Sequence, residues 1–217
     1  MKRGIFQRFV RLACTACLTA VPMVAGLVSG LVVLTPPDAS AQAGKPRATA
    51  ILVPGAGGAV PSDFLIRNRA ALEQKGIATI VAQDGVAAAV ARAGHPVVVI
   101  GMSKGTPTAA AGSSQADGLV LVSGMLMPGP APLSVKAAVG SPSALPRTLI
   151  VHNPDDPCAL TPASGVAAFQ AWSGRAQVAW IRSGPGLGKP CGPFSGHGFA
   201  GNDAAAVAAI ANFILAR

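Results

Sequence analysis

The sequence predicts an α/β domain in residues 44–217, with a mostly parallel sheet of about six strands and helices on both faces. Three observations lead there. Short aliphatic runs recur along the chain, and segments with helical spacing separate them. Each run is apolar almost throughout rather than alternating, as strands buried on both faces require. Apolar residues make up 51% of the sequence and charged residues 12%, which excludes a disordered chain.

Residues 49–53 (T-A-I-L-V) read as the first strand, stopped by Pro54-Gly55. Ser62-Asp63 starts a helix in which Phe64, Leu65, Asn68, Ala71 and Leu72 fall near helical spacing, and Gly76 ends it. Residues 77–81 form a second strand, and 85–93 a short helix closed by Gly94. The run 96–100 (P-V-V-V-I) is the most strand-like in the chain and leads directly into Gly101, with a helix over about 104–112 beyond it. Two further strands cover 119–122 and 148–151. Thr161-Pro162 is expected to cap a helix reaching Trp172, with proline at the first helical position. Residues 177–181 supply the last strand, and Asn202 caps a final helix with Val207, Ile210, Phe213 and Ile214 on one face. Residues 125–146, rich in Gly, Pro, Ala and Ser, read as a long irregular stretch, and 184–201 as a second long loop.

Residues 1–43 stand apart. Lys2, Arg3, Arg8 and Arg11 form a basic head, residues 12–34 are uncharged, and Ala39-Ser40-Ala41-Gln42-Ala43 offers small-residue cleavage points after Ala41 or Ala43. This pattern predicts a secretory signal peptide and a periplasmic or secreted product. Left uncut, the 23-residue apolar stretch is long enough to anchor the chain in a membrane. Beyond residue 43 there remain 13 basic and 7 acidic residues, scattered and without aromatic interleaving, so no nucleic-acid partner is expected. Cys158 and Cys191 are an even pair in an exported chain and predict a disulfide. With one nearby histidine they lack a fourth ligand, so no metal is expected; no cofactor is expected either. The absence of tyrosine rules out any phenolic acid.

The strongest chemical signal is Gly101-Met102-Ser103-Lys104-Gly105, a G-x-S-x-G turn between a five-residue apolar strand and a helix. Such a turn is tight enough to strain the serine backbone, and the crowding on either side demands glycine. A serine hydroxyl needs an imidazole to take its proton. His95 immediately precedes a strand and His152 lies at a strand end, both read as structural; His197, in the loop Ser195-Gly196-His197-Gly198, is free to reach across. The imidazole needs a carboxylate to fix its tautomer, and Asp155 and Asp156 both follow the 148–151 strand.

Over residues 48–217 the chain resembles the α/β-hydrolase superfamily. The resemblance rests on Val53-Pro54-Gly55-Ala56-Gly57-Gly58 after the first strand, the G-M-S-K-G elbow, Asp155-Asp156, and His197-Gly198-Phe199 before the last helix. Nucleophile, acid and histidine come in the chain order of that superfamily. The resemblance implies a minimal hydrolase fold and a triad of Ser103, Asp156 and His197. Asp156 is favoured over Asp155 because it directly precedes Pro157, leaving Asp155 as a turn or capping residue. It also implies an oxyanion hole from the backbone N–H groups of Ala56 and Lys104. The family often has His-Gly where this chain has Pro54-Gly55, a change that removes a side chain and keeps the amide. Lys104 is less usual there than a bulkier neutral residue.

The expectation is therefore an exported serine hydrolase that cleaves small-molecule or lipid esters through an acyl-enzyme on Ser103. Only about twenty residues separate Gly124 from Arg147, too few for a lid domain, and an open site follows. A Cys158–Cys191 bridge would tie the acid loop to the histidine loop. The alternatives are a non-catalytic envelope protein that keeps the fold and, if the leader is retained, a membrane-tethered binding domain.

Overall fold

Six aliphatic runs form six strands: β1 (Ala48–Val53), β2 (Ile77–Val81), β3 (Val97–Met102), β4 (Gly118–Val122), β5 (Thr148–His152) and β6 (Gln177–Trp180). The computed structural model describes residues 44–129 and 133–216. The signal-peptide expectation for residues 1–43 lies outside the described residues. All five strand pairings are parallel, in the order β2-β1-β3-β4-β5-β6. This is the parallel α/β architecture that the continuous apolar runs predict.

Successive side chains on a strand point to opposite faces, and each face has its own core. Val98, Ile100 and Met102 of β3 pack with helices α1 (Phe64–Arg67), α2 (Arg69–Glu73) and α7 (Asp203–Leu215). Val97 and Val99 pack toward α3 (Val86–Arg92), α4 (Gly105–Ala111), α5 (Val135–Val139) and α6 (Ser164–Ser173). The chain leaves β1 for β2 on one side and then returns to β3 on the other side of β1. The connections from β1 and β3 therefore diverge to opposite faces, and a crevice opens at the strands' carboxyl ends.

Four expected features take a different form. The helix starting at Ser62-Asp63 is broken at Asn68, whose carboxamide donates to the Phe64 carbonyl at 2.9 Å and to Asp203 at 2.8 Å. Asp63 does cap the first piece, accepting from the Leu65 N–H at 2.8 Å. The helix expected after Thr161-Pro162 begins at Ser164, with Ala163 as a cap lacking any side-chain bond. Thr161 is turned inward toward the acid loop instead. The stretch 125–146 is not wholly irregular. Ser134 accepts from the Ala137 N–H to start α5, and a 3-10 turn follows at Pro142–Ala144. Asn202 does stand at the start of α7, but its carboxamide donates to the Arg182 carbonyl rather than capping the helix.

The turn from β3 into α4 is crowded on both sides of Ser103. A Cβ on Gly101 would come within 2.7 Å of the Ala109 methyl and 2.8 Å of the Thr106 Cα. One on Gly105 would run into the carbonyls of Val53 and Pro54 at the end of β1. Backbone oxygens anchored in a sheet cannot move aside as a flexible side chain can. We predict that Gly105→Ala lowers the unfolding free energy by at least about 2 kcal/mol in urea titrations. Gly165→Ala, in α6 with nothing within 4 Å of the added methyl, should leave the midpoint unchanged or raise it. Equal behaviour of the two variants would contradict this account of the turn.

Candidate active site

Ser103 sits at the top of that turn with φ 49°, in the left-handed region that a side chain rarely adopts. The turn is held from both directions. The Ser103 N–H donates to the Val122 carbonyl at 2.9 Å, and the Thr106 hydroxyl donates to the Ser103 carbonyl at 2.6 Å. Thr106 in turn accepts from the Met125 N–H at 3.0 Å, which locks the elbow to the segment after β4. Strain of this kind persists only where the surroundings over-determine it.

Asp156 lies four residues beyond the end of β5, with its side chain wholly buried. Its carboxylate accepts from the Cys158 N–H at 2.9 Å and the Thr161 hydroxyl at 3.0 Å. His197, in a 3-10 turn at Gly196–Gly198, brings Nδ1 to 3.0 Å from Asp156 Oδ2 and 3.2 Å from Oδ1. Asp155 points the other way, into an exposed ion pair with Arg182, after its N–H has donated to the Asn153 side chain at 3.1 Å. Of the two neighbouring carboxylates, only Asp156 is brought to the imidazole.

Several side chains that the sequence did not single out hold the histidine loop. Arg67 carries most of this work. Its guanidinium pairs in bidentate fashion with Asp203 at 2.7 and 2.9 Å and donates to the carbonyls of Ser62 (2.8 Å), Pro193 (3.2 Å) and Gly198 (2.6 Å). Burial alone would raise the Asp203 pKa, but hydrogen bonds from Arg67 and Asn68 and the Arg67 charge outweigh it and hold the carboxyl below its ordinary value. Buried Asn153 donates to the Ser183 hydroxyl at 3.0 Å and to the Gly196 carbonyl at 3.1 Å. Ser123, with φ 42° at the end of β4, donates to the His197 carbonyl at 2.7 Å. Phe199 is fully buried against Phe64, with ring centroids 5.3 Å apart. The Cys158–Cys191 disulfide joins the two loops across 33 residues of sequence.

Ser103, His197, Ala56 and Lys104 line one cavity of about 600 Å³, together with the disulfide and mainly apolar side chains such as Val60, Met125, Leu133 and Leu160. Among the described residues, the N–H groups of Ala56 and Lys104 donate to no backbone carbonyl, whereas the neighbouring Gly55 N–H is held by Asp63 at 2.9 Å. Asp63 therefore serves two tasks, capping α1 and fixing the loop that carries Ala56. The Nε2 of His197 is buried and without a hydrogen-bond partner, so no bond joins it to the Ser103 hydroxyl in this arrangement. Among the described residues no three His, Cys, Asp or Glu side chains group as a metal site.

This architecture has known counterparts. Est1E from Butyrivibrio proteoclasticus, solved with ferulic acid bound, superposes with a TM-score of 0.57 at 13% identity, over 79% of this chain and 90% of that one. The chain has the α/β-hydrolase fold. Est2, a thermophilic esterase from Thermogutta terrifontis with propionate bound, gives 0.52 at 12% identity over 80% and 84% of the two chains. A pyrethroid hydrolase from Sphingobium faniae gives 0.51 at 15% identity over 78% and 98%. At such identities the likeness of this hydrolase-fold chain is one of architecture. No protein-family profile matches the sequence, and no curated protein matches it either.

His152, read from the sequence as structural, is fully buried behind the acid. Its Nε2 lies 3.1 Å from the Thr161 carbonyl and 3.5 Å from Asp156. Burial lowers its pKa below the ordinary 6.5, against the opposing pull of Asp156 and the Thr161 carbonyl. A histidine whose folded pKa is depressed binds its proton more readily in the unfolded chain. Stability is therefore lost as pH falls from about 6.5 through the folded value. We predict that the melting temperature drops between pH 7 and pH 5, and that His152→Gln flattens this dependence. An equally steep slope in the variant would show that His152 is not its source.

Proposed function

We propose that this chain is an exported serine hydrolase that cleaves carboxylic ester-type substrates through an acyl-enzyme on Ser103. The observation that carries the reading is a wholly buried Asp156 paired at 3.0 Å with His197, on the wall of a cavity that also receives the strained Ser103. The esterase and pyrethroid-hydrolase names of structural counterparts support ester substrates as a class.

In this reading, His197 Nε2 takes the proton of the Ser103 hydroxyl as the serine oxygen attacks the ester carbonyl carbon. Asp156 accepts from Nδ1–H, keeping the lone pair on Nε2 and stabilising the imidazolium. The negative oxygen of the tetrahedral intermediate is held by the N–H groups of Ala56 and Lys104. The intermediate expels the alcohol, protonated by His197, and leaves the acyl group on Ser103. Water, giving its proton to Nε2, then attacks the acyl carbon. The bond to Ser103 breaks as its oxygen takes that proton back and the acid departs. The cavity falls within the range of small-molecule sites, and its apolar lining favours an apolar acyl or alcohol group. Export is proposed from the basic head and apolar stretch of residues 1–43, and the disulfide supports an oxidising destination.

A non-catalytic protein that keeps the fold is the competing reading, and the missing bond between Ser103 and His197 Nε2 is what favours it. Hydrogen bonds of this kind often tighten only when substrate binds. Hydrolysis of p-nitrophenyl esters of graded chain length separates the two. We expect turnover by the oxidised protein, and a loss of at least about 10³-fold in Ser103→Ala. No turnover by the folded wild type, or undiminished turnover in Ser103→Ala, would overturn the proposal.

A further inference from the structure

We infer that Thr161 is a positioning residue of this site, holding Asp156 and His197 together through one hydroxyl; the inference rests on the serine-hydrolase reading above. Thr161 is 1% exposed. Its oxygen lies 3.0 Å from Asp156 Oδ2 and 3.1 Å from His197 Nδ1, closing a three-membered ring of polar contacts with the Asp156–His197 pair.

A hydroxyl has one hydrogen to give and lone pairs to receive with. Against a carboxylate, which only accepts, Thr161 must donate. Its lone pairs then face Nδ1, so the imidazole N–H is shared between the carboxylate and the threonine oxygen. Turning the ring breaks both contacts at once. The arrangement favours the tautomer with hydrogen on Nδ1, leaving Nε2 bare as a general base needs.

Two further observations separate this from a chance contact. The sequence marks Thr161 as a helix cap, yet α6 starts at Ser164 and its cap residue, Ala163, makes no side-chain bond. The hydroxyl that could have capped the helix is directed at the acid and the base instead. The Thr161 backbone is also fixed on both sides. Its N–H donates to the Cys158 carbonyl at 3.0 Å, and its carbonyl faces His152 Nε2 at 3.1 Å. Both neighbours of that nitrogen, the Thr161 carbonyl and an Asp156 oxygen, are acceptors, so His152 carries its hydrogen there and braces the threonine from β5. The disulfide loop on one side and a buried strand end on the other thus set the hydroxyl's position.

The test compares Thr161→Val and Thr161→Ser in the full, oxidised chain, with thermal melts and kcat and KM on a p-nitrophenyl ester. Thr161→Val should lower kcat about 10- to 100-fold with KM within about twofold of wild type. Thr161→Ser, which keeps the hydroxyl, should recover kcat to within about threefold of wild type. If Thr161→Val does not fold, Thr161→Ala replaces it with the same expectations. Unchanged kcat in the hydroxyl-free variant overturns the inference, as does a serine variant impaired to the same degree. A rise in KM without a fall in kcat overturns it too. Failure of the underlying reading would look different, since the wild type would then show no Ser103-dependent turnover at all.

Discussion

Asp156 carries a carboxylate with none of its side chain exposed, and an ionised group so placed is tolerated only where hydrogen bonds replace the lost water. The acid side of the crevice is arranged around that requirement. A backbone N–H, a hydroxyl and an imidazole converge on two oxygens. Each of those partners is anchored elsewhere: Cys158 by its disulfide, Thr161 between Cys158 and His152, and His197 through the clamp of Arg67, Asn153 and Ser123. Removing the charge would leave these groups without a common target, and removing a partner would leave the charge uncompensated.

The serine side obeys a different constraint, steric rather than electrostatic. Gly101 lets α4 lie close on β3, Gly105 lets it press against the end of β1, and Ser103 stands between the two glycines in a left-handed conformation. Because β1 and β3 are neighbours where the strand order reverses, the loop bearing Ala56 lies beside the elbow. The two constraints meet at one cavity.

The sheet was legible because its strands are short aliphatic runs that need no tertiary information to recognise. The elbow was legible because its glycines are demanded by local crowding. Asp156 and His197 could be nominated from their loops and their order in the chain. Arg67, Asn153 and Ser123 could not, because their roles come from partners distant in sequence: Arg67 reaches Asp203, Asn153 reaches the Gly196 carbonyl, and Ser123 reaches the His197 carbonyl. Thr161 departs from its expected role because the loop after β5 folds back and turns its hydroxyl onto Asp156, with His197 arriving from the other loop. A threonine before a proline is a good local cap, and only the folded chain offers it the carboxylate it takes instead. Asn68 broke an expected helix in the same way, by binding Asp203 across the fold.

A crystal structure of the oxidised protein carrying a phosphonate ester on its nucleophile tests the central claim most directly. A covalent bond to Ser103 Oγ is expected, with a phosphonyl oxygen about 2.7–3.1 Å from the N–H groups of Ala56 and Lys104. His197 Nε2 should then lie within hydrogen-bond reach of Ser103 Oγ or the leaving-group position, while Nδ1 stays on Asp156. An adduct on another residue, or one whose oxygen points away from both amides with the imidazole still unengaged, would contradict it.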